Sequence, residues 1–256
     1  MPRFERKAGT VYFAHSGDAG DLIYALPAMR AKAGRQKVGI ILTRRTKVRR
    51  PWDPEWVCNA RSLLELQPYV SHVHYLEGTD QRTRLWDHDV DPFRPYLIKS
   101  YRWGATIADY VSIILGVSDQ SSHQPWLEVD EPSFVPGRSV IFARSSRYHN
   151  RNFPWKRVYE AYRGKSVFVG TQTEHAVFQG TYGKLPLAVT PTLLDVARLI
   201  AGSKLFIGNQ SVPYAIAEGL KHRTVQEPST KIPDCMWARP NATFGWRATV
   251  PLPEII

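Results

Sequence analysis

Short apolar runs of strand length alternate with apolar stripes of helix length, and this alternation confines the chain to an α/β fold with parallel strands. Val11–His15 and Val38–Leu42 read as strands, with Leu22–Ala33 between them as a helix: one βαβ unit. A second series begins near Ser139, where Ser139–Ala143, Ser166–Gly170, Leu187–Thr190 and Lys204–Gly208 each read as a buried strand. Thr192–Ala201 reads as a helix whose Leu193, Val196, Ala197, Leu199 and Ile200 pack on a sheet. Thr192 caps its start, Asp195 supports the first turn and Gly202 ends it. His72 and His74 alternate along a further strand.

Between the two series, Pro125–Gly137 carries three prolines and a cluster of acids without a period, which marks a crossing between two α/β halves with its boundary near Pro132. The expected domains are 1–132 and 133–256. Trp86–Arg102, rich in Asp, Pro and aromatics, reads as a long functional loop outside the core. Two doubly wound halves predict ligands at the carboxyl ends of the strands, in a cleft between them.

At 256 residues, 43% apolar and 22% charged, the composition is globular and excludes disordered, collagen-like and coiled-coil readings. Cys58 and Cys235 are too few for a disulfide framework or a structural zinc site. No stretch approaches the roughly 18 apolar residues of a membrane span. The charged start gives way too early to polar residues for a signal peptide, so a cytoplasmic protein is expected. The net charge of +11 favours anionic ligands, or serves simply as a solvated basic surface.

The first strand ends in His15-Ser16-Gly17-Asp18-Ala19-Gly20-Asp21. Gly17 and Gly20 permit close backbone approach, and the following helix start offers free amides. The segment is neither a Walker loop nor a G-x-G-x-x-G dinucleotide turn. Two carboxylates beside a phosphate are unfavourable, so Asp18 and Asp21 point to proton abstraction or hydroxyl binding; the other reading makes either one a helix cap.

Gly20-Asp21-Leu22-Ile23-Tyr24-Ala25-Leu26-Pro27 resembles the G-D-x-x-x-x-L-P opening signature of the heptosyltransferase-like glycosyltransferases, glycosyltransferase family nine. That resemblance implies a GT-B architecture of two Rossmann-like, doubly wound domains facing a central cleft. It implies Asp21 as the base that deprotonates the acceptor hydroxyl, with Asp18 raising its pKa or orienting the acceptor. Ile141–Ser146 followed by Arg151-Asn152-Phe153-Pro154-Trp155 is similar to the family's strand, polar loop and K-x-W-P segment, with Arg151 in place of the phosphate-binding lysine. Arg144, Ser145, Arg147 and Lys156 are expected to share the diphosphate; a solvated basic loop is the other reading.

Leu199–Pro213 resembles the family's L-I-A-G-A-D-L-V-I-G-N-D-S-G-P segment. Asn209, Gln210, Ser211, Glu218 and Gly170 are thereby expected at the donor nucleotide and sugar. Gln210, Val212 and Ala215 depart from the family's aspartate, glycine and histidine, and Val212 is expected to crowd the backbone that lies against the diphosphate. Ser16, Gly20, Arg44, Arg45 and Arg49 are expected at the acceptor. Arg44–Arg50 holds five cations in seven residues and suits a polyanion, and Trp52 and Trp56 behind it either stack on sugars or bases or fill the core. The eight histidines form no metal-binding pattern.

The resemblance therefore implies an inverting transferase that needs no metal or cofactor, with a nucleotide-sugar co-substrate and an anionic acceptor. The acceptor is either a glycan or, by analogy with viral GT-B enzymes, DNA carrying hydroxymethylated bases. A non-catalytic glycan- or nucleotide-binding module with a degenerate donor loop is the rival from another class.

Overall fold

The computed structural model describes residues 4–44, 51–77, 85–100, 102, 104–118, 121–247 and 249–255. The chain divides into two compact units, Met1–Glu128 and Val129–Ile256, with the division inside the proline- and acid-rich stretch read as the crossing.

The first unit contains β1 (Thr10–His15), α1 (Ala19–Ala33), β2 (Lys37–Thr43), α2 (Pro54–Glu65), β3 (Val70–Leu76), β4 (His88–Asp89), α3 (Phe93–Lys99) and α4 (Ile107–Leu115). Its strands form one parallel sheet in the order β3-β2-β1-β4, with Phe13 opposite Ile40 and His88. Strands covered on both faces must be apolar on both faces, and β2 is buried from Val38 to Thr43. Leu22–Met29 of α1 are buried, and the indole of Trp126 donates to the Ile23 carbonyl at 3.0 Å. Trp52 is core rather than a stacking platform, whereas Trp56 is exposed.

The second unit contains β5 (Val140–Ala143), α5 (Trp155–Tyr162), β6 (Ser166–Phe168), α6 (Gln172–Tyr182), α7 (Leu193–Gly202), β7 (Leu205–Asn209), α8 (Val212–Gly219), β8 (Thr224–Glu227) and β9 (Ala242–Phe244). These strands are parallel in the order β6-β5-β7-β8-β9. Trp155, Phe142, Phe168 and Phe178 stack edge-on or tilted at 5.3–5.9 Å to make the aromatic centre of this core. At Gly208 a Cβ would stand 2.5 Å from the Ala143 carbonyl, so glycine is what lets β7 lie against β5 there.

Local capping follows the sequence closely. The Thr192 hydroxyl accepts from the Asp195 amide while the Asp195 carboxylate accepts from the Thr192 amide, a complete capping box for α7. Thr106 with Asp109 and Thr171 with Glu174 repeat the device on α4 and α6.

Two expectations need correction. Leu187–Thr190 makes a single parallel bridge from Leu187 to Phe168 and no strand; Pro186 lacks an amide for a longer ladder, and Val189 is 91% exposed. Trp86–Arg102 is not a loop outside the core. It contributes β4 and α3, and Val90, Phe93 and Leu97 are buried. Its polar residues conceal the pattern because β4 pairs for only two residues and α3 is only seven long.

Candidate active-site residues in the two units

In the first unit the polar residues gather where β1 runs into α1. Asp18 occupies the N-cap position of α1 with φ +44°, a left-handed conformation that few non-glycine residues adopt. Its side chain makes no capping hydrogen bond; its carbonyl receives the Asp21 and Leu22 amides instead. Strain of this kind gathers at functional turns. Ser16 is fully buried and its hydroxyl has no hydrogen-bond partner among the described residues, while Gly20 and Asp21 lie in the first turn of the helix and are partly exposed.

Around this turn stand residues that the motif reading did not single out. Arg94 of α3 donates through Nε to Asp21 at 3.2 Å, through Nη1 to Asp91 at 2.6 Å and through Nη2 to the Gly17 carbonyl at 2.8 Å. Asp91 also accepts from the Ser16 amide, and its own amide is held by Asp89. His15 faces three donors, the Trp52 indole at 3.2 Å and the Gly17 amide at 3.4 Å on Nδ1 and Arg94 Nη2 at 3.3 Å on Nε2; a neutral ring accepts at only one nitrogen. Burial works against the Arg94 charge, but Asp21 and Asp91 outweigh it and raise its pKa further above the usual range. The flag in the sequence was the Asp-Pro pair at Asp91-Pro92, which starts a helix, inside the stretch already read as functional.

Arg44 is exposed at the end of β2. Arg45, Arg49 and most of the basic run lie outside the described residues.

In the second unit the loop after β5 and the loop after β7 are knitted together by Asn209. Its Oδ1 accepts from the Ser145 amide at 2.9 Å, and its Nδ2 donates to the carbonyls of Ser145 and Arg147. Arg144, Ser145, Arg147 and Asn209 are therefore brought together, with Asn209 fully buried as a brace. Tyr148 has φ +59°, and the Arg147 guanidinium lies 5.0 Å from its ring centroid. Arg151 and Lys156 are exposed.

Arg144 does not present an unencumbered guanidinium. Its Nε and Nη2 grip Glu227, a wholly buried carboxylate at the end of β8, at 2.9 and 3.1 Å. Glu227 also accepts from the Asn150 amide at 2.7 Å and the Trp155 indole at 2.6 Å. Sequence reading missed Glu227 because an acid closing a buried strand looks like any edge residue until its partners, 72 to 83 positions away, are known.

Glu218 is also a correction. Its carboxylate is fully buried and held by Lys221 at 2.6 Å and by Arg239 at 2.9–3.3 Å, which leaves no surface for a ribose hydroxyl. Gln210 stands apart too: it donates to Asp234 and the Ile232 carbonyl and accepts from the Ser229 amide, fastening the 229–234 loop. Burial pushes Asp234 up to about 6. Ser211 precedes α8 and donates to the Asn209 carbonyl, Val212 opens that helix, and Ala215 is buried in it. Gly170 follows β6 with φ +154°, where a Cβ would meet Phe168 at 2.9 Å.

No family model and no curated protein matches the chain. The fold is nevertheless that of solved GT-B-type glycosyltransferases. A glycosyl transferase family 9 protein from Veillonella parvula superposes with a TM-score of 0.60 at 13% identity, covering 93% of this chain and 85% of that one. The E. coli heptosyltransferase WaaC with ADP gives 0.57 at 10% identity, over 94% and 95%. The E. coli ADP-heptose LPS heptosyltransferase II gives 0.56 at 14% identity, over 92% and 89%.

Proposed function

We propose that the protein is a glycosyltransferase that moves a sugar from a nucleotide-activated donor to an anionic acceptor, with inversion and without a metal, and that Asp21 is the base. The carrying observation is Asp21 in the first turn of α1, three residues after a strained Asp18 and in contact with an arginine, on a chain with this fold. In the reaction the acceptor oxygen attacks the anomeric carbon as its proton passes to the Asp21 carboxylate. The bond from that carbon to the diphosphate breaks, and the electron pair leaves on the phosphate oxygen. That departing charge needs cations in a preorganised frame. Arg147 and Arg151 are the candidates, with Ser145 adding a hydroxyl. Arg144, already committed to Glu227, acts as part of the frame.

The donor to test first is ADP-heptose, the compound named with the E. coli heptosyltransferase II. The +11 charge supports an anionic acceptor. In the test, the protein is titrated with nucleoside diphosphates and nucleotide sugars at low salt while thermal unfolding is followed; ligand binding raises Tm by mass action. Nucleotide release from the stabilising donor is then measured for the wild type and for Asp21→Asn. Loss of release in Asp21→Asn with donor stabilisation retained supports the reading, and full release in that variant overturns it. If the acceptor is nucleic acid, its binding falls steeply with salt, and a flat salt dependence argues against nucleic acid.

A further inference from the structure

The turn after β1 concentrates negative charge. Asp18 and Asp21 come from the turn and α1, Asp91 from the link between β4 and α3, and Asp89 stands behind Asp91. His15 faces the same space from β1, and Arg94 brings a cation to it. Carboxylates this close repel one another, and without a cation one of them takes up a proton. A protonated Asp21 cannot accept the acceptor's proton, so a base here needs a neighbour that keeps it ionised.

Arg94 also ties three segments of chain together. It reaches Asp21 on α1, the Gly17 carbonyl in the turn and Asp91 before α3. The two carboxylate contacts are unequal. Asp91 is held at 2.6 Å and is only 11% exposed, whereas Asp21 is held at 3.2 Å and is 23% exposed. A simple structural ion pair between Arg94 and Asp21 would weaken each time Asp21 took a proton, and the turn would loosen with it. With Asp91 as the stronger anchor, the guanidinium stays in place while Asp21 passes between its charged and neutral forms. The Arg94 side chain is itself only 22% exposed and lies against the Phe93 ring, 4.8 Å from its centroid, so it has little freedom to turn away.

We infer that Arg94, anchored by Asp91, is a positioning residue for Asp21: it holds the carboxylate in its orientation and keeps it ionised among the surrounding acids. This role rests on the reading of Asp21 as the base, but the electrostatic half of it is measurable without turnover.

The experiment is a carbon-13 NMR titration of aspartate side chains in the full-length protein, with Asp21→Asn used to assign the Asp21 signal. In Arg94→Gln, which keeps a hydrogen-bond donor but removes the charge, the Asp21 midpoint is expected to rise by about one to three pH units. In Arg94→Lys, which restores the charge without the planar fork, it is expected to return to within half a unit of the wild-type value. Release of ADP from ADP-heptose, with water as acceptor, gives the kinetic arm. Arg94→Gln is expected to lower kcat at least 100-fold with KM changed less than threefold, to move the acidic limb of the pH profile upward, and Arg94→Lys to recover part of the loss.

An unmoved Asp21 midpoint in Arg94→Gln overturns the inference, as does a kcat loss equal in the two variants. If Arg94→Gln does not fold, Arg94→Lys decides alone. An unmoved midpoint with kcat reduced about tenfold supports the role, and a midpoint raised by a full unit despite the retained charge overturns it. Persistence of ADP release in Asp21→Asn would instead remove Asp21 as the base and leave the titration result standing, so the two failures are distinguishable.

Discussion

The two units meet the same problem, charged residues at the carboxyl end of a parallel sheet, and solve it in opposite ways. In the first unit Arg94 stands among several acids, and Asp21 in the first turn of α1 remains partly exposed. In the second, each prominent acid is swallowed: Glu227 by Arg144, Asn150 and Trp155, and Glu218 by Lys221 and Arg239. Charge near a strand end is therefore not by itself a sign of chemistry. Where hydrogen bonds saturate a buried carboxylate it serves as framework, and the acid proposed as the base is instead one left partly exposed beside a clamped cation.

Breaking this contrast begins with the largest expected effects. Asp21→Asn should lower nucleotide-sugar turnover by about 10²–10⁴-fold with little change in Tm, since general-base catalysis is worth that much and the side chain is partly exposed. Glu227→Ala should do the reverse. It strands the Arg144 guanidinium and two further donors, and chemical denaturation should show a loss of about 3–5 kcal/mol. Adding Arg144→Met to that variant should recover much of the loss. If Glu227→Ala instead folded as stably as the wild type and failed only in turnover, the division into reacting and framework acids would collapse.

A sharper test uses Asp234. Burial raises its folded pKa to about 6 from 3.8, so the folded state holds the proton more tightly than the unfolded chain. Its contribution to stability is full below pH 4 and is lost as pH rises through about 6. Asp234→Asn should therefore stabilise the protein at pH 8, by about 3 kcal/mol at most, and change little at pH 4. His222 slopes the opposite way. Burial and Arg239 lower its pKa to about 4, so its contribution is present above pH 6.5 and is lost as pH falls through 4. Because His222 is unchanged in the variant, the difference between the two proteins isolates Asp234.

The smallest effect should come from Thr192→Ala, which removes one half of the α7 capping box and should cost about 1 kcal/mol at neutral pH with no change in turnover.

The sequence by itself determined the βαβ opening, the helix from Thr192 with its cap, the strands at Val38, Val140 and Leu205, and the residues at the end of β1. These are local: a run of apolar residues of the right length, or a threonine three positions before an aspartate, carries its meaning within one turn or one strand. The tertiary structure decided which charges face one another. Arg94 reaches Asp21 across 73 positions and Arg144 reaches Glu227 across 83, and no periodicity encodes such pairings. It also decided that Trp86–Arg102 contributes regular elements to the first unit, because β4 exists only by pairing with β1. Local rules set the elements, whereas the protonation and reach of each side chain depend on neighbours brought together by packing.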